Sequence, residues 1–146
     1  MTEIINVEKK NIHLKLLQFQ KTIQPLKKDG QNPHFHSRYV TLNAVLDKVK
    51  KPLNDMGVLI LQQSDAHGLT TTLYDTETDT FVSSYLPYVE VTTAQKLGSN
   101  NTYNRRYALV TMLGLEDEDD DGNEASFSTG KKPDARPTPV TNNFEL

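Results

Sequence analysis

The hydrophobic period of this chain changes at Gly57, and a chain that switches period there cannot fold as helix alone or strand alone. On the N-terminal side Ile12, Leu16, Phe19 and Ile23 recur at spacings of four, three and four, which predicts an amphipathic helix within Val7 to Lys28. Lysines 9, 10, 15 and 21 mostly fall off that stripe, and Pro25 places the helix end near Gln24. Asp29 to Pro33 is turn chemistry. A second helix fits Thr41 to Met56, with Thr41 as cap and Leu42, Val45, Leu46 and Val49 as its stripe. Pro52 weakens its last turn and Gly57 ends it.

Beyond Gly57 the pattern suits strands. Val58 to Leu61 is a short apolar run, Leu69 to Tyr74 alternates and is rich in threonine, and Thr80 to Leu86 alternates again. Short polar turns at Asp65–Gly68 and Asp75–Asp79 make these an antiparallel meander. Pro87 to Thr93 reads as a loop or a frayed fourth strand. A third helix runs from about Gln95 to Leu113 and stops at Gly114. The expected fold class is α+β: a three- to four-stranded antiparallel sheet packed with about three helices.

After Leu115 the composition changes. Residues 1–115 carry 13 Lys and Arg against 10 Asp and Glu, whereas residues 116–146 carry 3 against 9. The first stretch is expected to be the folded domain and the second a disordered acidic tail with three prolines. A mildly basic domain with an acidic tail is compatible with a polyanionic ligand, and equally with a solvated domain and a solubilising tail. The chain has no cysteine, which excludes disulfides, thiolate nucleophiles and thiolate zinc sites. It has no apolar run of membrane-spanning length and no signal-peptide stretch, so a soluble cytoplasmic protein is expected.

Two clusters carry chemistry. On the third helix Tyr103, Tyr107 and Val110 share a face with Arg106 beside them, while Arg105, Leu109 and Met112 fall on another. An arginine beside an exposed tyrosine can pair a phosphate while the ring stacks on a base. The competing reading packs both tyrosines under the sheet as core and leaves the arginines solvated or paired with the acidic tail. The second cluster, Asn32-Pro-His-Phe-His-Ser-Arg-Tyr39, sets His34, Phe35, His36, Arg38 and Tyr39 just before a helix N-terminus, where free backbone N–H groups suit a phosphate.

Other chemistries find less support. His34 and His36 have no third metal ligand at a recognisable spacing. Asp117 to Gly122 imitates the start of an EF-hand loop, but the closing position is Ser128 and the apolar position is Glu124. Clustered carboxylates could hold catalytic metals in a nuclease, although such ligands usually sit on rigid elements. There is no nucleophile elbow and no phosphate-binding loop, so no ATP or other cofactor is implied.

Taken in order, Asn32 to Tyr39, Leu42, Val45-Leu46, Pro52-Leu53, Gly57-Val58, Gly98-Ser99, Thr102-Tyr103, Arg105 to Leu109, Leu113-Gly114 and Asp119 to Asn123 resemble the ERF (essential recombination function) family of phage and prophage single-strand annealing proteins. The resemblance covers roughly residues 10 to 123. It implies an ATP-independent, non-enzymatic protein that coats single-stranded DNA and pairs complementary strands in homologous recombination. It further implies a ring or filament of identical subunits, a partner 5′→3′ exonuclease, a possible single-strand binding protein, and the bacterial host cytoplasm if the chain is phage-encoded. The implied fold is α+β, distantly similar to the eukaryotic annealing proteins of recombinational repair.

The expected DNA contacts are Arg105, Arg106, Tyr103, Tyr107, Arg38, Tyr39, Phe35, His36, Lys27 and Lys48. Of these, Arg105, Arg106, Arg38 and lysines of the first two helices are expected to line a basic groove of the oligomer, with Tyr103, Tyr39 or Phe35 separating or stacking bases. His36 stands where the family usually has lysine. Asn100 and Asn104 stand where small apolar residues are common, which implies a more polar helix surface at a subunit contact or the DNA. The alternatives are a metal-dependent nuclease built on the acidic block and histidines, and an adaptor that does not bind DNA.

Overall fold

The computed structural model describes residues 8–118. The elements are α1 (Ile12–Thr22), β1 (Gly30–Gln31), β2 (Arg38–Tyr39), α2 (Leu42–Asp55), β3 (Val58–Ser64), β4 (Gly68–Asp75), β5 (Thr80–Pro87) and α3 (Ala94–Leu113). β3, β4 and β5 form an antiparallel meander in that order, and β1 pairs β2 as a separate two-stranded ribbon. The fold is α+β, as the change of period requires.

Each helix begins on a side chain that accepts an otherwise orphaned N–H. Asn11 accepts from Leu14, Thr41 from Ala44 and Thr93 from Lys96. α1 is shorter than its apolar stripe, because Ile23 is already extended ahead of the Gln24-Pro25 pair. α2 runs through Pro52 to Asp55. α3 closes on Gly114 in the left-handed region at φ 62, a conformation glycine adopts without a Cβ penalty.

All three helices lie against one face of the meander. Along β4 the side chains of Leu69, Thr71, Leu73 and Asp75 are buried, while those of Thr70, Thr72 and Tyr74 alternate with them on the outer face. The core joins Ile12 and Phe19 of α1, Val45, Val49 and Leu53 of α2, Leu109 and Leu113 of α3, and Val58 and Leu73 of the sheet. Burying each such side chain is worth about 1.5–3 kcal/mol. Leu59, Leu61, Phe81 and Tyr85 stay exposed on the outer sheet face.

The structure differs from the sequence-based expectation in three places. The segment read only as a turn forms the β1–β2 ribbon, with Gly30 opposite Tyr39 and Gln31 opposite Arg38. Pro87 ends β5 and Tyr88 to Thr93 is a loop, one of the two readings open for that stretch. Lys15, read as lying off the apolar stripe, is buried: its Nζ donates to Asp75 Oδ1 at 2.6 Å and to the Met56 carbonyl at 2.7 Å. Asn104 is also buried and donates to the Leu86 and Pro87 carbonyls, while Asn100 brackets the N–H and C=O of Val89. These asparagines therefore hold α3 to the end of β5 and its loop, and do not make a polar outer surface. Just past Leu115 the chain is tied back to the segment after α1. Leu26 N–H donates to Glu116 O, and Glu118 N–H donates to Leu26 O. The rest of the acidic tail lies outside the described residues.

Candidate nucleic-acid interface

The ribbon places one aromatic ring over the start of the site. Gly30 and Tyr39 are directly paired, and the Tyr39 ring lies over Gly30 so closely that a Cβ there would sit 2.7 Å from Tyr39 Cζ. Glycine here leaves room for the ring, which any Cβ would displace, and its backbone angle is ordinary. The ribbon is tied to α2 by Asp29, whose carboxylate accepts from both Thr41 N–H and Thr41 Oγ1 at 2.7 Å. The backbone bond from Thr41, then the hydroxyl bond, hold that carboxyl below its usual value.

From α3, Arg106 reaches over this ring. Its guanidinium carbon lies 5.0 Å from the Tyr39 centroid and 5.4 Å from the Tyr103 centroid, so the cation sits between two aromatic faces. Arg106 Nη1 donates to Val40 O at 3.3 Å, which fixes its reach. One turn further, Tyr103 stacks on Tyr107 with centroids 5.7 Å apart and planes 13° from parallel. The four side chains make a ladder, Tyr39–Arg106–Tyr103–Tyr107. Tyr103 is 53% exposed and Tyr107 47% exposed. The competing reading, in which these tyrosines pack as core, does not hold: three- and four-residue spacing put them on one face, and that face looks outward.

A shallow hollow of about 540 Å³ opens beside the ladder, lined by Tyr39, Gln95, Gly98, Ser99, Thr102, Tyr103 and Arg106. Gly98 leaves its part of that hollow open, with nothing within 4 Å of where a Cβ would stand. Aromatic faces, a guanidinium and small polar side chains together suit a nucleotide: a base can stack while a phosphate meets the cation.

The remaining expected contacts are not gathered there. Arg105, next in sequence to Arg106, is turned about 100° around the helix axis and lines a separate hollow with α2 and β3. Arg38 donates back to the Lys28 carbonyl at 2.6 Å. It is also on the opposite ribbon face from Tyr39, because neighbouring strand residues alternate. Phe35, 79% exposed, and His36, at φ 51, belong to the connection between β1 and β2. Lys27 and Lys48 are exposed and line neither hollow. Within one chain the expected contacts therefore fall in two distinct hollows and several outlying groups. Gly30, Gly98 and Gln95 were missed by residue-type reasoning, since a small or uncharged residue signals nothing until its neighbours are placed.

Among the described residues no group of three or more His, Asp or Glu could hold a metal ion, and Asp119 to Asp121 of the acidic block lie outside them. No helix there is long and apolar enough to cross a membrane. No curated protein and no solved structure matches the chain. The model of one family does, over residues 12–145, which takes in every helix and strand described above. With nearly its whole length covered, the chain belongs to the ERF superfamily.

Proposed function

We propose that this protein binds single-stranded DNA through the Tyr39–Arg106–Tyr103–Tyr107 ladder and anneals complementary strands without ATP or a metal cofactor. The observation that carries this is the guanidinium held between two exposed tyrosine rings. Membership of the ERF superfamily supports the same reading, since that family is associated with recombination-related annealing. Bases stack on any aromatic face at about 1–3 kcal/mol each, so capture is independent of sequence. Specificity then comes from pairing between the strands and not from base contacts with protein.

In this reading the protein is non-enzymatic and self-associates as a ring or filament. It works beside a 5′→3′ exonuclease and a single-strand binding protein in the cytoplasm. The test is annealing of two complementary dye-labelled oligonucleotides by purified protein, without ATP and with EDTA present. Salt-sensitive acceleration with intact strands is expected. No acceleration, together with no single-strand binding at low salt, would overturn the reading and leave an adaptor. Strand shortening that EDTA abolishes would instead point to a nuclease.

A further inference from the structure

Arg105 is held more firmly than a surface arginine needs to be. Its Nε donates to Gln62 Oε1 at 3.2 Å, while Gln62 Nε2 returns a bond to the Arg105 carbonyl at 3.0 Å and another to Thr71 Oγ1 at 3.1 Å. Thr71 is fully buried, so the clamp is anchored in the sheet. It fixes the stem of the guanidinium and leaves Nη1 and Nη2 without a hydrogen-bond or ion-pair partner among the described residues. A fork oriented in advance, with its outer nitrogens free, is the arrangement that receives an oxyanion with little further ordering cost.

What surrounds that fork narrows the ligand. The hollow has a volume of about 570 Å³, with Asn43, Leu46, Asp47 and Lys50 on the α2 side and Ile60 to Gln63 on the β3 side. Two cations and one carboxylate give the lining a net charge of +1, which suits one monoanionic phosphodiester better than a terminal phosphate dianion. Leu46 and Ile60 supply apolar wall for a sugar, and Asn43 supplies an amide. A volume in the range of small-ligand sites accommodates one nucleotide unit.

We propose that this hollow holds the backbone of the second, complementary strand, so that α3 presents one strand on its Arg106 flank and the other on its Arg105 flank. The inference rests on the annealing reading. It assigns the two neighbouring arginines to different steps: Arg106 to capture of the first strand, Arg105 and Lys50 to pairing with the second.

The test uses the full chain with Arg105→Ala and, separately, Lys50→Ala. Lys50 is exposed and makes no bond among the described residues, so its variant keeps the fold even if loss of the Gln62 partner weakens the other. Single-strand affinity is read by anisotropy of a labelled oligothymidine, and annealing by stopped-flow fluorescence at saturating protein. We expect oligothymidine affinity within about twofold of wild type and annealing slowed about tenfold or more for both variants. Equal loss of affinity and annealing rate would place the hollow on the path of the first strand and overturn the proposal. Unchanged annealing by Lys50→Ala would also overturn it. Tighter oligothymidine binding would mean that an acidic protein segment occupies the hollow, and would overturn it too. Failure of the wild-type protein itself to bind or anneal would refute the underlying reading, an outcome distinct from all of these.

Discussion

Replacing Lys15 by methionine should destabilise the domain far more than a surface lysine can. Lys15 and Asp75 have side-chain exposures of 6% and 0%, with the ammonium 2.6 Å from the carboxylate. Asp75 also accepts from Thr78 Oγ1 at 2.5 Å and from Glu77 N–H at 3.1 Å. Burial by itself would raise this carboxyl. The hydrogen bonds from Lys15, Thr78 and Glu77 and the nearby ammonium charge outweigh burial and hold it below its usual value. Deleting one partner of a buried pair leaves the other charge uncompensated, at a cost of about 3–5 kcal/mol. Asp75 would keep two neutral donors, so the lower end, about 3 kcal/mol, is expected. For a domain of this size that is a fall of roughly 10–20 °C in Tm.

The pH dependence should change sign. In the wild type the folded carboxyl is depressed, so its contribution is present above the ordinary carboxylate value of about 3.9 and is lost as pH falls through the lower folded value. In Lys15→Met burial dominates and the folded carboxyl rises above its unfolded value, so that variant should gain stability as pH falls from 7 toward 5. The double variant Lys15→Met, Asp75→Asn should recover about half or more of the loss, since no buried charge remains. Urea unfolding followed by circular dichroism at several pH values measures all three. A single-variant loss under about 1 kcal/mol, or a double variant no more stable than the single, would refute the reasoning.

Three further outcomes are expected. Gly30→Ala should push the Tyr39 ring off the ribbon and remove one aromatic face from Arg106. Single-strand affinity should fall about two- to fivefold while the unfolding midpoint moves little; unchanged affinity would mean Tyr39 does not contribute. Gly98→Ala should stabilise α3 by about 0.5–1 kcal/mol, yet weaken oligothymidine binding because its methyl enters the hollow. Stabilisation without weaker binding would remove that hollow from the interface. Arg106→Ala should lower affinity for all sequences alike and reduce the slope of log K against log salt by about 0.7–1, and an unaltered slope would argue against a phosphate contact.

The helix stripes, the meander, the Thr41 cap and the Gly114 stop were legible in the chain, because hydrophobic period and capping chemistry are local properties. Ile12 and Phe19, or Leu69 and Leu73, carry their burial in their spacing. The outward face of Tyr103 and Tyr107 was not legible. The same three- and four-residue spacing makes a core stripe or a surface ladder, and only the packing of α3 on β4 and β5 chooses between them. Asn104 and Lys15 were misjudged for a related reason. A polar side chain is buried only where partners far along the chain meet it, here the carbonyls of Leu86 and Pro87 and the carboxylate of Asp75.

By itself the sequence determined that helices would pack on an antiparallel sheet, that arginine and tyrosine would share one turn of the last helix, and which family's ordered pattern the chain carries. Tertiary structure alone decided that Arg106 would meet Tyr39, a residue 67 positions away in the numbering, and that Arg105 would turn into another hollow. Adjacent helical residues differ by about 100° in direction. What each of them faces is set by the elements that pack on either flank, and those elements come from distant stretches of the chain.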